Sequence, residues 1–264
     1  MKLSIITVNK NNDSSFETTA LSVISQKFID FEWIVIDGAS NDKSIDIIKK
    51  YAYKMNYWVS ESDNGIYHAM NKGISRATGE YCLFLNSGDW FFSPDSLEKA
   101  FNIIEKSEYA DIYYGNCLTN EYLLWKMPNP LTIDSLFNQT ALSHQNTFIK
   151  RTLFYEHEFY NENFPTVSDS IFFIKEFWLY KSKFLYIDMV ISVYSWYGIS
   201  YSYNSSRQEF LNEIKIFFNP RDYNKLIIRN IKIKRYNFFK RIIKYFLPHG
   251  IILFLKNHID DKYK

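Results

Sequence analysis

Two aspartates each close a short apolar run. Asp37 ends Trp33-Ile34-Val35-Ile36, and Asp89 follows Tyr81-Cys82-Leu83-Phe84-Leu85 across Asn86-Ser87-Gly88. Apolar, β-branched and aromatic runs of this length read as strands buried on both faces, as in a parallel sheet. An acid just past such a strand stands at the edge where open α/β sheets bind ligands. Asp37 there could accept from a base N–H or a ribose hydroxyl. Asp89, beside a glycine that allows close backbone approach, could hold a divalent metal and through it phosphate oxygens. Ordinary turn chemistry also accounts for Ser-Gly-Asp taken alone.

The elements that must position these acids follow in order. Leu3–Val8 reads as a strand and Asn9–Asp13 as a polar loop. Ser14 and Glu17 have capping-box spacing ahead of a helix through Ala20, Leu21 and Ile24. Helices from about Asp42 and over Ile66–Ser75 alternate with strands at 33–36, 57–59 and 81–85. That β-α-β-α-β-α-β order predicts a parallel sheet with right-handed crossovers. Neither G-x-G-x-x-G nor G-x-x-x-x-G-K-[ST] occurs, which argues against a dehydrogenase and a P-loop ATPase. Phosphate neutralisation then falls to a metal and to cations such as Lys72 or Arg76.

Several ordered segments carry a resemblance: Ser4–Asn9 (SIITVN), Ile34–Asp42 (IVIDGASND), Gly65-Ile66-Tyr67, Ala69–Ile74 (AMNKGI), Ala77–Glu80 (ATGE) and Phe84–Asp89 (FLNSGD). Over the first third of the chain they resemble the family-two glycosyltransferases of bacterial surface-polysaccharide synthesis. The resemblance implies a GT-A fold, a Rossmann-like, mostly parallel sheet flanked by helices. It also implies a nucleotide-sugar donor, UDP by family habit, with Mn²⁺ or Mg²⁺ and inversion at the anomeric carbon. In that pattern Asp37 contacts the nucleobase, and Thr7 and Asn9 belong to the first donor-binding loop. Asn86 and Ser87 line the donor site, and Asp89 is the metal-binding end of a D-x-D-type motif. The sequence departs from the pattern in three places. Asn86-Ser87 replaces the first acid, Ala39 stands where a second glycine or serine is common, and His68 stands where Asp is frequent.

The second half continues the resemblance more thinly. Ser93-Pro94 with Leu97, Phe101 and Ile104 reads as a capped helix. Asp111–Tyr114 reads as a strand, with another at Tyr122–Trp125. Ser143-His144-Gln145 resembles a His-Gln segment of the same family, so His144 reads as a donor-diphosphate or acceptor contact, or as a structural histidine. Asp169 precedes an apolar helix, Ile171–Tyr180, where the family carries its general base. An acceptor hydroxyl attacks an anomeric carbon only as a carboxylate removes its proton. A helix cap is the alternative role for Ser168 or Asp169. Phe184–Ile187 and Ile191–Tyr194 read as two strands. Trp196, in Trp-Tyr-Gly-Ile-Ser, is a candidate for stacking on a sugar.

Composition bounds the rest. The chain has 264 residues, 47% hydrophobic and 19% aromatic, enough to fill a core. Two cysteines, no signal-peptide pattern and no apolar run of about 20 residues fit a reducing, cytoplasmic setting. Residues 223–259 contain nine Lys or Arg and no acid, so with a total of +2 the first 222 residues carry −7. Phe238–Leu247 places Phe238, Phe239, Ile242, Ile243, Phe246 and Leu247 on one helical face and Lys240, Arg241 and Lys244 on the other. A basic amphipathic extension of this kind suits an anionic membrane surface. The expected organisation is a transferase domain over 1–215 (nucleotide-sugar half 1–115, acceptor half 116–215) and an extension over 216–264. The expected function is sugar transfer to a lipid-linked saccharide, on the inner face of the cytoplasmic membrane. A sugar nucleotidylyltransferase is one alternative, but Thr7–Asp13 lacks its glycine-rich loop. A degenerate nucleotide-binding protein, or a nucleic-acid binder using the basic tail, is the other. The acidic body and the lack of an exposed-strand aromatic motif speak against nucleic acid.

Overall fold

The computed structural model describes residues 1–137, 142–195 and 203–232. The chain divides into two compact units, Met1–Ile214 and Lys215–Lys264. The first unit opens with β1 (Leu3–Asn9), α1 (Asp13–Ile24), β2 (Phe31–Asp37), α2 (Ser44–Tyr51), β3 (Tyr57–Ser60), α3 (Ile66–Arg76) and β4 (Tyr81–Phe84). It continues with β5 (Trp90–Phe91), α4 (Ser96–Ile104), β6 (Ile112–Thr119), β7 (Leu124–Trp125) and α5 (Ile133–Phe137). After a 3₁₀ turn at His144–Asn146 come β8 (Thr147–Lys150), α6 (Thr152–Glu156), α7 (Ser168–Lys175), a π-helical turn at Glu176–Tyr180, β9 (Phe184–Tyr194) and α8 (Tyr203–Phe217).

Among the described residues the strands form one sheet, ordered β3-β2-β1-β4-β8-β6-β9-β5, with β7 pairing β6. The first four strands run parallel, as their helical crossovers require. β8 enters antiparallel between β4 and β6, and β9 runs parallel to β6. One face carries Leu3, Ile5, Trp33, Val35 and Leu83 against Phe16, Ala20, Val23 and Ile48 of α1 and α2. On the other, Phe84 packs its ring on Phe154 and Tyr160, and Phe154 stacks on Phe172 of α7 at 4.9 Å.

Local expectations fail where a tertiary partner outcompetes them. Ser14 and Glu17 form no capping box, and α1 starts without a side-chain cap. Glu17 instead accepts from Lys50 Nζ at 2.7 Å and Tyr51 Oη at 2.8 Å, tying α1 to α2. The two strands expected over 184–194 are one, β9, kept continuous by register shifts opposite Gly115 and Asn116. Pairing at 122–125 is confined to Leu124–Trp125. The helix expected from Ile171 begins at Ser168 and passes into the π turn.

In the second unit a helix covers 220–232. Asn219 Oδ1 accepts the Asp222 N–H at 2.9 Å, with Pro220 at the first helical position. The amphipathic stretch 238–247 lies outside the described residues. Among the described residues no helix is long and apolar enough to cross a membrane.

A buried hub locks β1, β2 and β4 together. Glu32 Oε1 accepts from Ser4 Oγ at 2.6 Å, the Thr78 N–H at 2.5 Å and the Gly79 N–H at 3.1 Å. A Cβ on Gly79 would stand 2.6 Å from Ser4 N and 2.7 Å from the Leu3 carbonyl carbon, both rigid backbone. Gly79→Ala should therefore lower stability by about 1–3 kcal/mol in urea denaturation. An unchanged midpoint would show that this corner yields freely.

Candidate functional site

Parallel pairing puts the ends of β1, β2 and β4 on one edge. Asn9 is the partner of Asp37 in the β1–β2 ladder. The Ser87 N–H donates to Val8 O at 3.0 Å, which carries the β1–β4 pairing into the turn that holds Asp89.

Asp37 is fully buried, and its carboxylate is densely hydrogen-bonded. Oδ1 accepts from Asn9 Nδ2 at 2.7 Å and Ser40 Oγ at 2.6 Å. Oδ2 accepts from the Ser40 N–H at 2.9 Å and Ser60 Oγ at 2.7 Å. These donors fix the carboxylate's plane. They come from β1, β3 and the turn after β2, and Ser40 and Ser60 had no role assigned from sequence. Ala39 in that turn takes φ +55°, a conformation that favours glycine.

Thr7 and Asn9 part company. The Thr7 hydroxyl is fully buried and accepts from the Trp33 indole at 3.0 Å, so its side chain is turned to the core. Asn9 ends β1 and serves Asp37.

The turn after β4 is clamped by α1. Thr19 Oγ1 accepts the Gly88 N–H at 3.0 Å and donates to Asp89 O at 2.7 Å. Gly88 takes φ +105°, and a built Cβ would make only ordinary contacts at 3.6–3.7 Å, so backbone conformation is what asks for glycine here. Ser87 Oγ turns to Asn12 O at 3.4 Å. The Asp89 carboxylate is buried and receives the Ser195 N–H at 3.0 Å. Burial pushes its pKa up to about 6, only partly offset by that N–H and the charge of His144.

Asp169 is half-buried and sits in a different environment. His144 Nδ1 lies 2.9 Å from its Oδ2, Tyr67 Oη donates to Oδ1 at 2.9 Å, and the Ser170 N–H adds a third bond at 2.8 Å. Burial pushes its pKa up, but the His144 bond and charge, with Tyr67 and Ser170, outweigh that and hold it below the usual value. Burial lowers the His144 pKa, but Asp169 and Asp89 outweigh it and raise the ring above its ordinary 6.5. The His144⁺–Asp169⁻ pair therefore stabilises the fold fully between 3.8 and 6.5. Its contribution fades as pH falls through the lowered acid value or rises through the raised imidazole value. Asp169 is not a helix cap, since Val167 occupies that position.

His144 also reaches the Asp89 turn, its Nε2 lying 2.9 Å from Asn86 Nδ2. With His144 charged, its Nε2–H needs an acceptor, which the Asn86 amide supplies when it presents Oδ1 to the ring. A continuous chain thus runs Tyr67–Asp169–His144–Asn86. Tyr67 lay within a recognised motif, but only the fold gives its hydroxyl a partner.

The cations expected to meet phosphate are elsewhere. Lys72 pairs with Glu61 at 2.8 Å and donates to Ser62 O, beyond the end of β3, with β2 and β1 between it and the Asp89 turn. Arg76 ends α3 and lies 4.6 Å over the ring of Tyr57, the first residue of β3, at the opposite edge of the sheet. His144 is a cation whose charge Asp89 feels. His68 Nδ1 accepts the Asn64 N–H at 2.9 Å, a turn contact. Trp196 lies outside the described residues.

A divalent cation at Asp89 would meet one buried carboxylate. Among the described residues no three acids, histidines or cysteines gather as a cage. A hard cation that draws its other oxygens from water and phosphate fits such a site.

Residues 4–181 match the family model described as Glycosyl transferase family 2. The chain belongs to that family. It is a glycosyltransferase, and the nucleotidylyltransferase and nucleic-acid readings fall away. A PGL/p-HBAD biosynthesis glycosyltransferase of Mycobacterium bovis is 28% identical over 180 residues, 67% of this chain and 70% of the relative. TuaG of Bacillus subtilis, named for teichuronic acid biosynthesis, is 29% identical over 157 residues, 56% of this chain and 62% of TuaG. The fold is GT-A. Residues 1–349 of S. aureus TarS, solved with UDP-GlcNAc, superpose with TM-score 0.71 at 18% identity, covering 88% of this chain and 72% of that fragment. A mannosyltransferase of Pyrobaculum calidifontis, solved with GDP-Man and Mn²⁺, gives TM-score 0.64 at 14% identity, covering 100% and 81%.

The Asp89 environment makes a signed prediction for the glycosyltransferase. Above about pH 6 its buried charge opposes folding, whereas Asn keeps the acceptor for Ser195 without the charge. Asp89→Asn should gain roughly 2–3 kcal/mol of stability at pH 8 in chelator. The gain should shrink toward zero near pH 4, as measured by urea denaturation at both values. An equal difference at both would remove burial of charge as its cause.

Proposed function

We propose that this glycosyltransferase is an inverting enzyme. It moves a sugar from a nucleotide-sugar donor, a UDP-sugar, to a lipid-linked saccharide during capsule, O-antigen or exopolysaccharide synthesis. The observation that carries the reading is the hydrogen-bonded chain Tyr67–Asp169–His144–Asn86, which joins a carboxylate to the turn bearing Asp89. Single-displacement transfer needs a base on one side of the anomeric carbon and stabilisation of a leaving diphosphate on the other. The chain and the Asp89 turn supply groups for both.

Asp37 accepts from the nucleobase or ribose with its plane held by Asn9, Ser40 and Ser60. Asn86, held by His144, and Ser87 line the donor site. Asp89 would hold Mn²⁺ or Mg²⁺, which would supply positive charge to a leaving diphosphate. Asp169, kept ionised at neutral pH, takes the acceptor hydroxyl's proton as that oxygen attacks. His144 and Tyr67 hold the carboxylate in one orientation throughout.

The UDP-GlcNAc complex of TarS supports a UDP-sugar donor. The Mn²⁺ of the mannosyltransferase supports a metal. The acid-free basic stretch 223–259 supports an acceptor presented on an anionic membrane, at the inner face of the cytoplasmic membrane.

Thermal unfolding with UDP, GDP or CMP, each with and without Mn²⁺, tests the donor. At about 100-fold saturation the cognate nucleotide should add roughly 2.7 kcal/mol, and only with metal. No shift with any nucleotide in folded protein would sink the donor assignment. Asp169→Asn should cut kcat by about 10²–10⁴-fold while leaving the UDP shift intact. A variant with full turnover would move the base elsewhere.

A further inference from the structure

The β6–β7 hairpin leaves the sheet at the same edge as the acids. The Asn120 N–H donates to Tyr194 O at 2.9 Å, and the next residue, Ser195, gives its N–H to Asp89. Trp125 of β7 lies edge-on to Tyr194, with centroids 6.1 Å apart. The hairpin tip is therefore anchored one residue from a site contact.

The tip itself is held tightly. The Tyr122 N–H donates to Thr119 O at 2.8 Å and the Thr119 N–H to Leu123 O at 2.9 Å. The Leu123 N–H reaches Thr119 Oγ1 at 3.2 Å. Tyr122 takes φ +59°, unusual for a bulky residue.

This rigid turn presents three consecutive large apolar side chains to solvent. Tyr122, Leu123 and Leu124 are 74%, 60% and 58% exposed. A core has no use for them, and single exposed apolar residues are common where a run of three is not. Their area decides the kind of partner. Three side chains offer on the order of a few hundred Å², well short of the roughly 800 Å² per partner of a stable protein interface. A bilayer makes no such demand, because a few inserted side chains suffice when a second signal helps. Nine bases without an acid over 223–259 supply that signal by charge. Tyr is also a residue that settles at the water–lipid boundary.

We propose that the tip Tyr122-Leu123-Leu124 inserts into the interface of an anionic membrane and turns the catalytic edge toward the lipid surface. This rests on the lipid-linked acceptor reading and adds to it the element that makes contact. A saccharide on a lipid is displayed just above the headgroups, where the edge carrying Asp89 would then stand.

The test uses the full chain with Leu123→Cys. Cys82 and Cys117 are buried, so an environment-sensitive thiol dye attaches at the tip. Vesicles of phosphatidylcholine with about 30% phosphatidylglycerol should shift the dye's emission to the blue, and spin-labelled lipid should quench it. The triple variant Tyr122→Ser, Leu123→Ser, Leu124→Ser should bind those vesicles about 10-fold or more weakly, with its UDP-induced thermal shift unchanged. Vesicle binding with unmoved emission would assign the contact to the basic stretch and overturn the proposal. A blue shift that needs no lipid and grows with protein concentration would place a second copy on the tip and overturn it equally. So would absence of vesicle binding. Tip insertion in a protein that no nucleotide stabilises would keep the membrane contact and remove only the donor assignment.

Discussion

β1 is hydrogen-bonded on both sides, and that pairing places the acids of the site. Its whole length pairs with β2, which sets Asn9 beside Asp37. On the other side it pairs with β4 and then, through Val8 O, with the backbone of Ser87. Two parallel neighbours in register end at one level, so the acids that follow them share an edge. The Glu32 hub under Gly79 secures the opposite edge of the same three strands. A slip of one residue would turn Asn9 and Asp37 to the other face.

Asp89 and Asp169 show how one site sets two carboxylates to different states. Loss of solvent around each raises both. Asp89 receives one N–H, and its pKa stands near 6. Asp169 receives His144, Tyr67 and the Ser170 N–H, and its pKa falls below the usual range. The difference lies in the count and charge of donors. As pH falls, Asp89 therefore takes up its proton before Asp169 does. His144 stands between them, bonded to one and electrostatically felt by the other.

Much of the first half was legible because its signals are local and periodic. Buried runs at 3–8, 33–36 and 81–85 alternate with helical segments, and polar or glycine-containing turns mark their ends. The errors share one cause, since each local rule lost to a partner distant in sequence. Ser14 and Glu17 have capping spacing, but Lys50 and Tyr51 recruit Glu17. Thr7 lies in a donor-loop motif, but the Trp33 indole takes its hydroxyl. Arg76 follows a phosphate-binding logic, but an 11-residue helix carries it to the other edge of the sheet. β9 has a polar interruption at Asp188 and still runs unbroken, because bulges against β6 absorb it.

The sequence by itself determined the parallel β-α alternation, the family, and the placing of Asp37 and Asp89 after buried strands. Those are properties of short segments, set by apolar periodicity, strand length and turn residues. Only the tertiary structure decided which groups face one another. Residues 67, 86, 144 and 169 lie on separate elements, and nothing in their spacing says that a tyrosine, an amide, an imidazole and a carboxylate meet in one hydrogen-bonded chain. That meeting depends on β8 entering antiparallel beside β4, which brings the His144 turn over the end of β4. It depends equally on α7 packing Phe172 against Phe154, which brings Asp169 to the same place. Long-range pairing and side-chain packing made that arrangement, and neither is written in any local stretch of the chain.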